Sequence, residues 1–501
     1  MHHADAAHVA AVVGALGAVF VLVARRPLEL LAGFALLVGA EAALGVAIAE
    51  GGVHARATTV ALAIVGALVL LAAAALLVRF PALVTPLVLA AAPFRLPLDF
   101  GGNHRFFVAF AEPGKLGRLL PLYGVLVAAV LALAFRAVRD GRIRILPPAL
   151  ALPAAAFVGF ASLSLLWTKD LAAGANLLAY FLLPFAALIA VVARASFPAW
   201  MPRALAVIAI SLASLFAATG IWQEATHHLF FYAPNLEVSN TYTQFFRVTS
   251  LFRDPSLYGR QLVLGLAVLL VLIWRRRLRL DVAFALVALI WTGLFFSYSQ
   301  SSMAALFAVA LAVTAFAGDR TARRVVAVGT VAVVLAGAGY VAAAVNNDSA
   351  RRVTSDRSRR AQATARVFRE HPLAGVGLGA QPRASEQASK HYGPTTRFVS
   401  HTTPLTVAAE LGVVGLVAYI AFLAGALLVI DRVRRRDDAL GLALGAVFLA
   451  LFVHALFYSG FFEDPVTWLV PAVGASYLVA RAGATERAAI LVPRAAAVRS
   501  R

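Results

Sequence analysis

At 501 residues, 61% of them hydrophobic and only 14% charged, the chain has the profile of a polytopic integral membrane protein, which excludes an ordinary soluble enzyme. Its net charge of +20 invites a nucleic-acid reading, but the arginines lie in short runs between apolar segments, the pattern left by membrane orientation, so no nucleic-acid partner is expected. The absence of cysteine removes disulfides, thiolate catalysis and thiolate-bound metal.

In chain order, the N-terminus MHHADAAHVAAVV lacks a cationic start and a small-residue cleavage site, so its apolar run reads as a retained first span. Apolar segments follow at 7–24, 28–49, 58–78, 119–135, 149–166, 172–193, 204–222, 257–274, 280–297, 303–317, 325–345, 404–430, 439–459 and 466–480. Most reach the roughly 18 residues that hydrocarbon crossing needs. The piece 82–94 is short and proline-flanked and reads as re-entrant, and the break at 298–302 is either a kink or a turn. The expected fold is all-α, with about 12–15 transmembrane helices and one large extracytoplasmic loop. The expected regions are N-terminal spans (1–222), an aromatic and arginine-bearing loop (223–256), central spans (257–345), the large loop (346–403), C-terminal spans (404–480) and a cytoplasmic tail (481–501).

Orientation follows from counting Lys and Arg. With the two long polar segments set aside, alternate sides hold 25 and 6 of them, and the richer side is expected to be cytoplasmic. Both long segments then face outward from the cytoplasmic membrane. Small residues such as Gly412 and Gly415 are expected to let helices approach closely.

The larger segment, 346–403, carries three histidines and ten Lys/Arg against four Asp/Glu, a balance suited to an anionic ligand. His401 precedes Thr402–Thr403–Pro404, an expected N-cap and first-turn proline for the next span. That places its ring at the positive end of a helix, which favours the neutral imidazole able to accept a proton. Arg247, with Arg253 and Arg260, offers guanidinium forks suited to phosphate oxygens, although arginine outnumbers lysine 41 to 3 throughout the chain. GVGLGA (375–380) lacks dinucleotide spacing and reads as a tight reversal with exposed amides, following Pro372 and His371. Glu410, one of the few acids within a span, either orients a loop arginine or is buried in a structural hydrogen bond. HHLFFYAPN (227–235) reads as an aromatic interfacial segment, and its paired histidines lack the carboxylates of a metal site. No metal or other cofactor is expected.

Three of these blocks, in this order, give the chain its resemblance to the O-antigen ligase and O-antigen polymerase superfamily: RVTSLFRDPSLYG (247–259), TARVFREHPLAGVGLGA (364–380), and His401 followed by AAELGVVGLVAY (408–419). The resemblance covers roughly residues 240–430. Many members place a Ser-Arg pair at the junction where this chain has SYSQSSMAA (297–305), so Gln300 stands where that arginine would be. If that arginine binds diphosphate, its charge must come here from elsewhere, such as Arg351, Arg352, Arg359 or Arg360.

The resemblance implies glycan transfer from an undecaprenyl-diphosphate-linked donor to a hydroxyl of a glycan or lipid acceptor, at the outer face of the cytoplasmic membrane. In that chemistry His401 is the base, Arg247 and a loop arginine neutralise the leaving diphosphate, His371, Gln300 and Glu410 line the substrate site, and grooves between spans hold the lipid tail. Arginine clamps would replace a divalent metal. Ligase, chain polymerase and protein O-glycosylating enzyme share these blocks. A lipid-linked glycan flippase or transporter is the rival class; its expected marks are broken helices, paired halves and polar sites near mid-bilayer, and the sequence has few mid-bilayer charges and no detectable repeat. A non-catalytic envelope-assembly component is the remaining reading.

Overall fold

A computed structural model describes residues 3–48, 57–94, 119–230, 234–242, 244–252, 254–331, 335, 357–389, 400–458 and 460–498. All regular structure among them is helical: α1 (His3–Val23), α2 (Pro27–Ile48), α3 (Ala57–Arg79), α4 (Val84–Ala91), α5 (Leu120–Asp140), α6 (Pro148–Leu163), α7 (Leu171–Leu177), α8 (Leu183–Ala193), α9 (Met201–Thr226) and α10 (Pro234–Tyr242). There follow α11 (Pro255–Trp274), α12 (Leu280–Phe295), α13 (Gln300–Ala317), α14 (Arg357–Glu370), α15 (Gln381–Ser389), α16 (Thr403–Arg434), α17 (Asp438–Phe457) and α18 (Pro465–Val498). Proline in the first turn of α5, α6, α9, α11 and α16 starts each helix where its missing N–H costs nothing. Asp170, Asp254, Ser299 and Asp437 cap α7, α11, α13 and α17 by accepting first-turn amides.

The protein is an all-α polytopic membrane protein. Ten described helices are long and apolar enough to cross a bilayer, or eleven if the pair Ile64–Arg79 and Pro81–Ala91, bent by 110°, is one span. The bend falls between Arg79 and Pro81, just before the proline-flanked piece 82–94 singled out in the sequence. Of the other expected spans, 280–297 forms a 16-residue helix, 325–345 runs out of the described residues, and 466–480 lies in α18. The break at 298–302 is a turn, with Tyr298 in the left-handed region at φ 46°.

Two groups of helices pack about one continuous apolar core. α1 lies against α2, α6 and α8, while α11 lies among α9, α12, α13 and α17. α16 touches α6, α17 and α18 and joins the groups. Phe157 of α6, Phe422 of α16, Trp468 of α18 and Phe462 fill that seam, with the Phe157 and Phe462 rings stacked at 4.3 Å.

Arginine-bearing turns gather at one end of the bundle. There Arg194, only 2% exposed, donates to Arg144 O, Val21 O, Ala190 O and Ala24 O at 3.0–3.3 Å. Burial pushes its guanidinium down to about 9, and carbonyls at the ends of α1 and α8 take the place of a carboxylate partner. Arg275 pairs with Asp438, and Arg434 lies 4.7 Å over the Phe316 ring, at the same end.

At the opposite end α16 is broken. Gly412 (φ 63°, ψ −163°) interrupts the helix, leaving Ala409 and Glu410 without their usual amide partners and Val413 and Val414 without their usual carbonyls. The run 371–380 fills the gap reciprocally. Val376 N donates to Ala409 O (3.1 Å) and Gly377 N to Glu410 O (2.8 Å), while Val413 N and Val414 N donate to Pro372 O (2.8 Å) and Leu373 O (3.3 Å). A Cβ on Gly375 would sit 2.2 Å from Glu410 O, and one on Gly412 2.2 Å from Leu373 O. Both glycines have positive φ, so backbone meets backbone only because neither has a side chain.

The turn from α6 to α7 closes on the other face of the run. Thr168 Oγ1 donates to Leu378 O (2.9 Å), Lys169 N to Val376 O (3.0 Å), and Leu378 N donates to Ser164 Oγ (3.1 Å). A small apolar cluster of Val367, Val376, Ala380, Ala384 and Ala409 packs beneath α14 and α15. Three expectations are thereby corrected. The amides of GVGLGA are consumed within the protein rather than exposed. Gly412 breaks a helix instead of easing helix contact. Thr402 occupies the N-cap position of α16, but its hydroxyl accepts no first-turn amide and instead donates to Leu456 O (3.2 Å).

Gly412→Ala is expected to cost about 1–3 kcal/mol in backbone strain alone, with the Leu373 clash added. The thermal midpoint of the detergent-purified variant should fall, and the 371–389 segment should become cleavable by protease. A variant with wild-type midpoint and protection would refute this account of the break.

Candidate active site at the histidine end

Beyond the broken helix, α14 and the start of α16 bring Arg360 and His401 together. An Arg360 Nη1 lies against His401 Nε2 in a contact that a guanidinium can make only by donating to the imidazole lone pair. The His401 ring is 6.3 Å from that of Tyr458, and the Tyr458 ring is 5.4 Å from that of His454. Tyr458 donates to the Asp254 carboxylate, and burial, then the Asp254 charge, raises its phenol well above the usual range, so it stays protonated. Asp254 meanwhile accepts Ser256 N (2.7 Å) and Leu257 N (3.1 Å) to start α11.

Arg247 reaches the same neighbourhood from the other polar loop. Its Nε donates to Ser297 O (3.4 Å), and its backbone exchanges bonds with the Asn240 side chain at 3.0 and 3.1 Å. Burial lowers its guanidinium, and the nearby Asp254 carboxylate opposes that effect. The turn behind it is held by Gln223, which is fully buried in α9. Gln223 accepts Thr249 N (3.1 Å) and Ser250 N (2.7 Å) and donates to Ser250 O (3.0 Å). Arg247 and His401 are 154 residues apart in sequence; Arg247 feels the Asp254 charge, Asp254 accepts from Tyr458, and the Tyr458 ring is 6.3 Å from that of His401.

The other expected ligand residues divide. Arg260 is turned into the bundle, where it is 3% exposed, pairs with Asp464 at 2.7 Å and donates to Gly460 O at 3.3 Å. It is a structural cation rather than an open anion contact. Glu410, 7% exposed, accepts Gln381 N (3.3 Å) and the Gly379 amide, so among the described residues it binds the glycine run, the buried structural role of the two readings. His371 ends α14 and meets Lys169 Nζ at 2.9 Å, and burial, then the Lys169 charge, lowers its imidazole, with Glu370 opposing. Gln300 is the exposed first residue of α13. Arg359 is half-buried beside Arg360. Arg253, Arg351 and Arg352 lie outside the described residues.

Sequence reasoning missed Tyr458, Asp254, Gln223 and the acid of the Arg260 pair. The Asp-Pro start of α11 signalled a cap at Asp254, but nothing local announced its tyrosine partner. His454 meets Ser301 Oγ and Ser256 O, each at 3.2 Å. An apolar cleft of about 110 Å³ runs between α9, α11, α17 and α18, lined by Ala213, Phe216, Leu264, Val447 and Val466, with Gln261 as its polar contribution.

A bundle with ten described helices long and apolar enough to cross a bilayer defines a multi-pass membrane protein, with Arg360 and His401 in contact at one end. Residues 284–420 match the family model described as O-antigen ligase, so the chain carries that family's region, and His401, Arg360 and Gly412 lie within it. The match supports a role in glycan transfer for cell-surface polysaccharide assembly. No curated protein matches the chain.

Because removing either partner strands a buried charge, Arg260→Met and Asp464→Leu should each destabilise the purified protein by about 3–5 kcal/mol. The double variant should recover much of the loss in thermal midpoint. Equal stability of the single variants, with loss of activity in Arg260→Met alone, would instead return Arg260 to the ligand site.

Proposed function

We propose that the protein transfers a glycan from an undecaprenyl-diphosphate-linked donor to an acceptor hydroxyl at the outer face of the cytoplasmic membrane. The observation that carries this reading is the contact of Arg360 with His401, with Tyr458 near His401 and Asp254 near Arg247, at the end of the bundle remote from the arginine-bearing turns. Positive-inside orientation assigns that end to the exterior.

The acceptor oxygen attacks the anomeric carbon, the bond from that carbon to the diphosphate oxygen breaks, and His401 Nε2 takes the hydroxyl proton. General-base help of this kind is worth about 10²–10⁴ in rate. Arg247 and Arg360 neutralise the charge developing on the diphosphate, each such contact contributing about 10²–10³. Arg360 thus supplies the charge missing at Gln300. In the structure its N–H occupies the lone pair that must receive the proton, so the base becomes available when the donor diphosphate draws Arg360 away. Donor binding therefore precedes proton transfer.

The apolar cleft supports a place for the isoprenoid tail. It begins beside Gln261 and Val466, the neighbours of Arg260 and Pro465 at the histidine end, and descends to Pro202 and Leu440 at the arginine end. A polymerase uses the same chemistry with a second lipid-linked glycan as acceptor.

His401→Ala and Arg247→Ala should each abolish transfer with normal membrane insertion, and Arg247→Lys should remain poor because a point charge does not replace a fork. Lipid-linked glycan should then accumulate on the outer face. Accumulation on the inner face would indicate a flippase, and wild-type glycan assembly in either alanine variant would defeat the assignment. Ala213→Trp, which fills the cleft, should weaken binding of undecaprenyl diphosphate at least tenfold while leaving inorganic pyrophosphate unaffected. Equal affinities of variant and parent for the long-chain ligand would remove the tail from this cleft.

A further inference from the structure

We infer that Gln381 is a positioning residue that holds the base and the loop arginine in register, an inference that rests on the reading of His401 and Arg360 just given. Gln381 is 1% exposed, and among the described residues its side chain bonds to Thr364, Ser385 and Ser400, of which Thr364 and Ser400 lead to the reacting groups. Its Oε1 accepts Ser400 N at 3.1 Å, the amide immediately before His401. Its Nε2 donates to Thr364 Oγ1 at 3.1 Å and to Ser385 Oγ at 2.7 Å. Thr364 lies one turn beyond Arg360 on α14 and donates to Arg360 O at 2.8 Å.

The amide orientation is dictated chemically. Ser400 N–H can only donate, so it must face the carbonyl oxygen, which leaves the NH₂ for the two hydroxyls. Thr364, Ser385 and Ser400 are 0–1% exposed, so no solvent replaces a lost bond. The Gln381 backbone is itself tied down, its N–H donating to Glu410 Oε1 at 3.3 Å. A rigid amide on the broken end of α16 thus fixes both the turn that carries Arg360 and the residue that precedes His401. Misplacement of a reacting group by about 1 Å costs about 10²-fold in rate, which is the scale at which such a hub acts. Its carboxamide does not touch the reacting atoms, so its effect passes through the two side chains it aligns.

The test uses the full chain. Saturated consumption of lipid-linked glycan is measured in vesicles of the producing strain, and affinity for undecaprenyl diphosphate is measured on the purified protein. Gln381→Met, close in shape but unable to bond, should lower the saturated rate about 10²-fold. Thr364→Val cuts only the arm toward Arg360. It should weaken undecaprenyl diphosphate about tenfold and lower the saturated rate by less than Gln381→Met does, while Thr364→Ser, which keeps the oxygen, restores both. The double variant should match Gln381→Met alone, since both changes sever one linkage.

Wild-type rate in Gln381→Met, multiplicative losses in the double variant, or equal affinities of the Val and Ser variants would overturn the inference. So would a fall in rate that tracks a fall in thermal midpoint. If Gln381→Met does not accumulate, the Thr364 pair decides the matter. Activity in His401→Ala would sink the underlying assignment instead. An inactive His401→Ala beside wild-type Gln381 and Thr364 variants would sink only the positioning role.

Discussion

The exchange of backbone hydrogen bonds between the glycine run and the interrupted α16 is the constraint on which the site depends. In hydrocarbon or its border an unpaired amide or carbonyl costs several kcal/mol, so a helix breaks there only when other backbone fills the gap. Residues 372–377 do this, returning two carbonyls and two amides to Gly412's neighbours. The loop is thereby anchored within α16 at Gly412 instead of at the helix start near Thr403. Arg360, Gln381 and His401 inherit their positions from that anchorage.

The two sides of the site share a physical device. Gln223 on α9 holds the turn behind Arg247, and Gln381 holds the residue before His401, each as a buried carboxamide with both ends engaged. A neutral amide joins donors to acceptors without the desolvation cost of an ion pair. Charge is instead kept where it serves a purpose. Arg194 is an internal fastener held by four carbonyls and Arg260 is paired with Asp464 inside the bundle, whereas Arg360 lies against His401 and Arg247 within range of Asp254.

Much was legible before any coordinates. Apolar runs located the spans because hydrocarbon thickness sets their length, and the arginine bias separated two ends because it acts locally, loop by loop. His401 before a proline-started helix and Arg247 before the Asp-Pro turn were legible because capping is local chemistry. The glycine run was recognised as a reversal but misjudged as offering free amides, since Ala409 O and Glu410 O lie about 30 residues onward, just before a helix break, and Ser164 Oγ lies 214 residues back. Arg260 looked like Arg247 because its partner, Asp464, is about 200 residues distant.

The sequence by itself determined an all-helical membrane protein, its alternation of ends, and the short blocks that carry histidine and arginine, because these follow from composition and from neighbours within one or two turns. Only the tertiary structure decided which arginine meets His401, which arginine is buried, and that Tyr458 and Asp254 stand between the two loops. Those outcomes depend on pairings across tens to hundreds of residues, fixed by backbone satisfaction and close packing that no local pattern encodes.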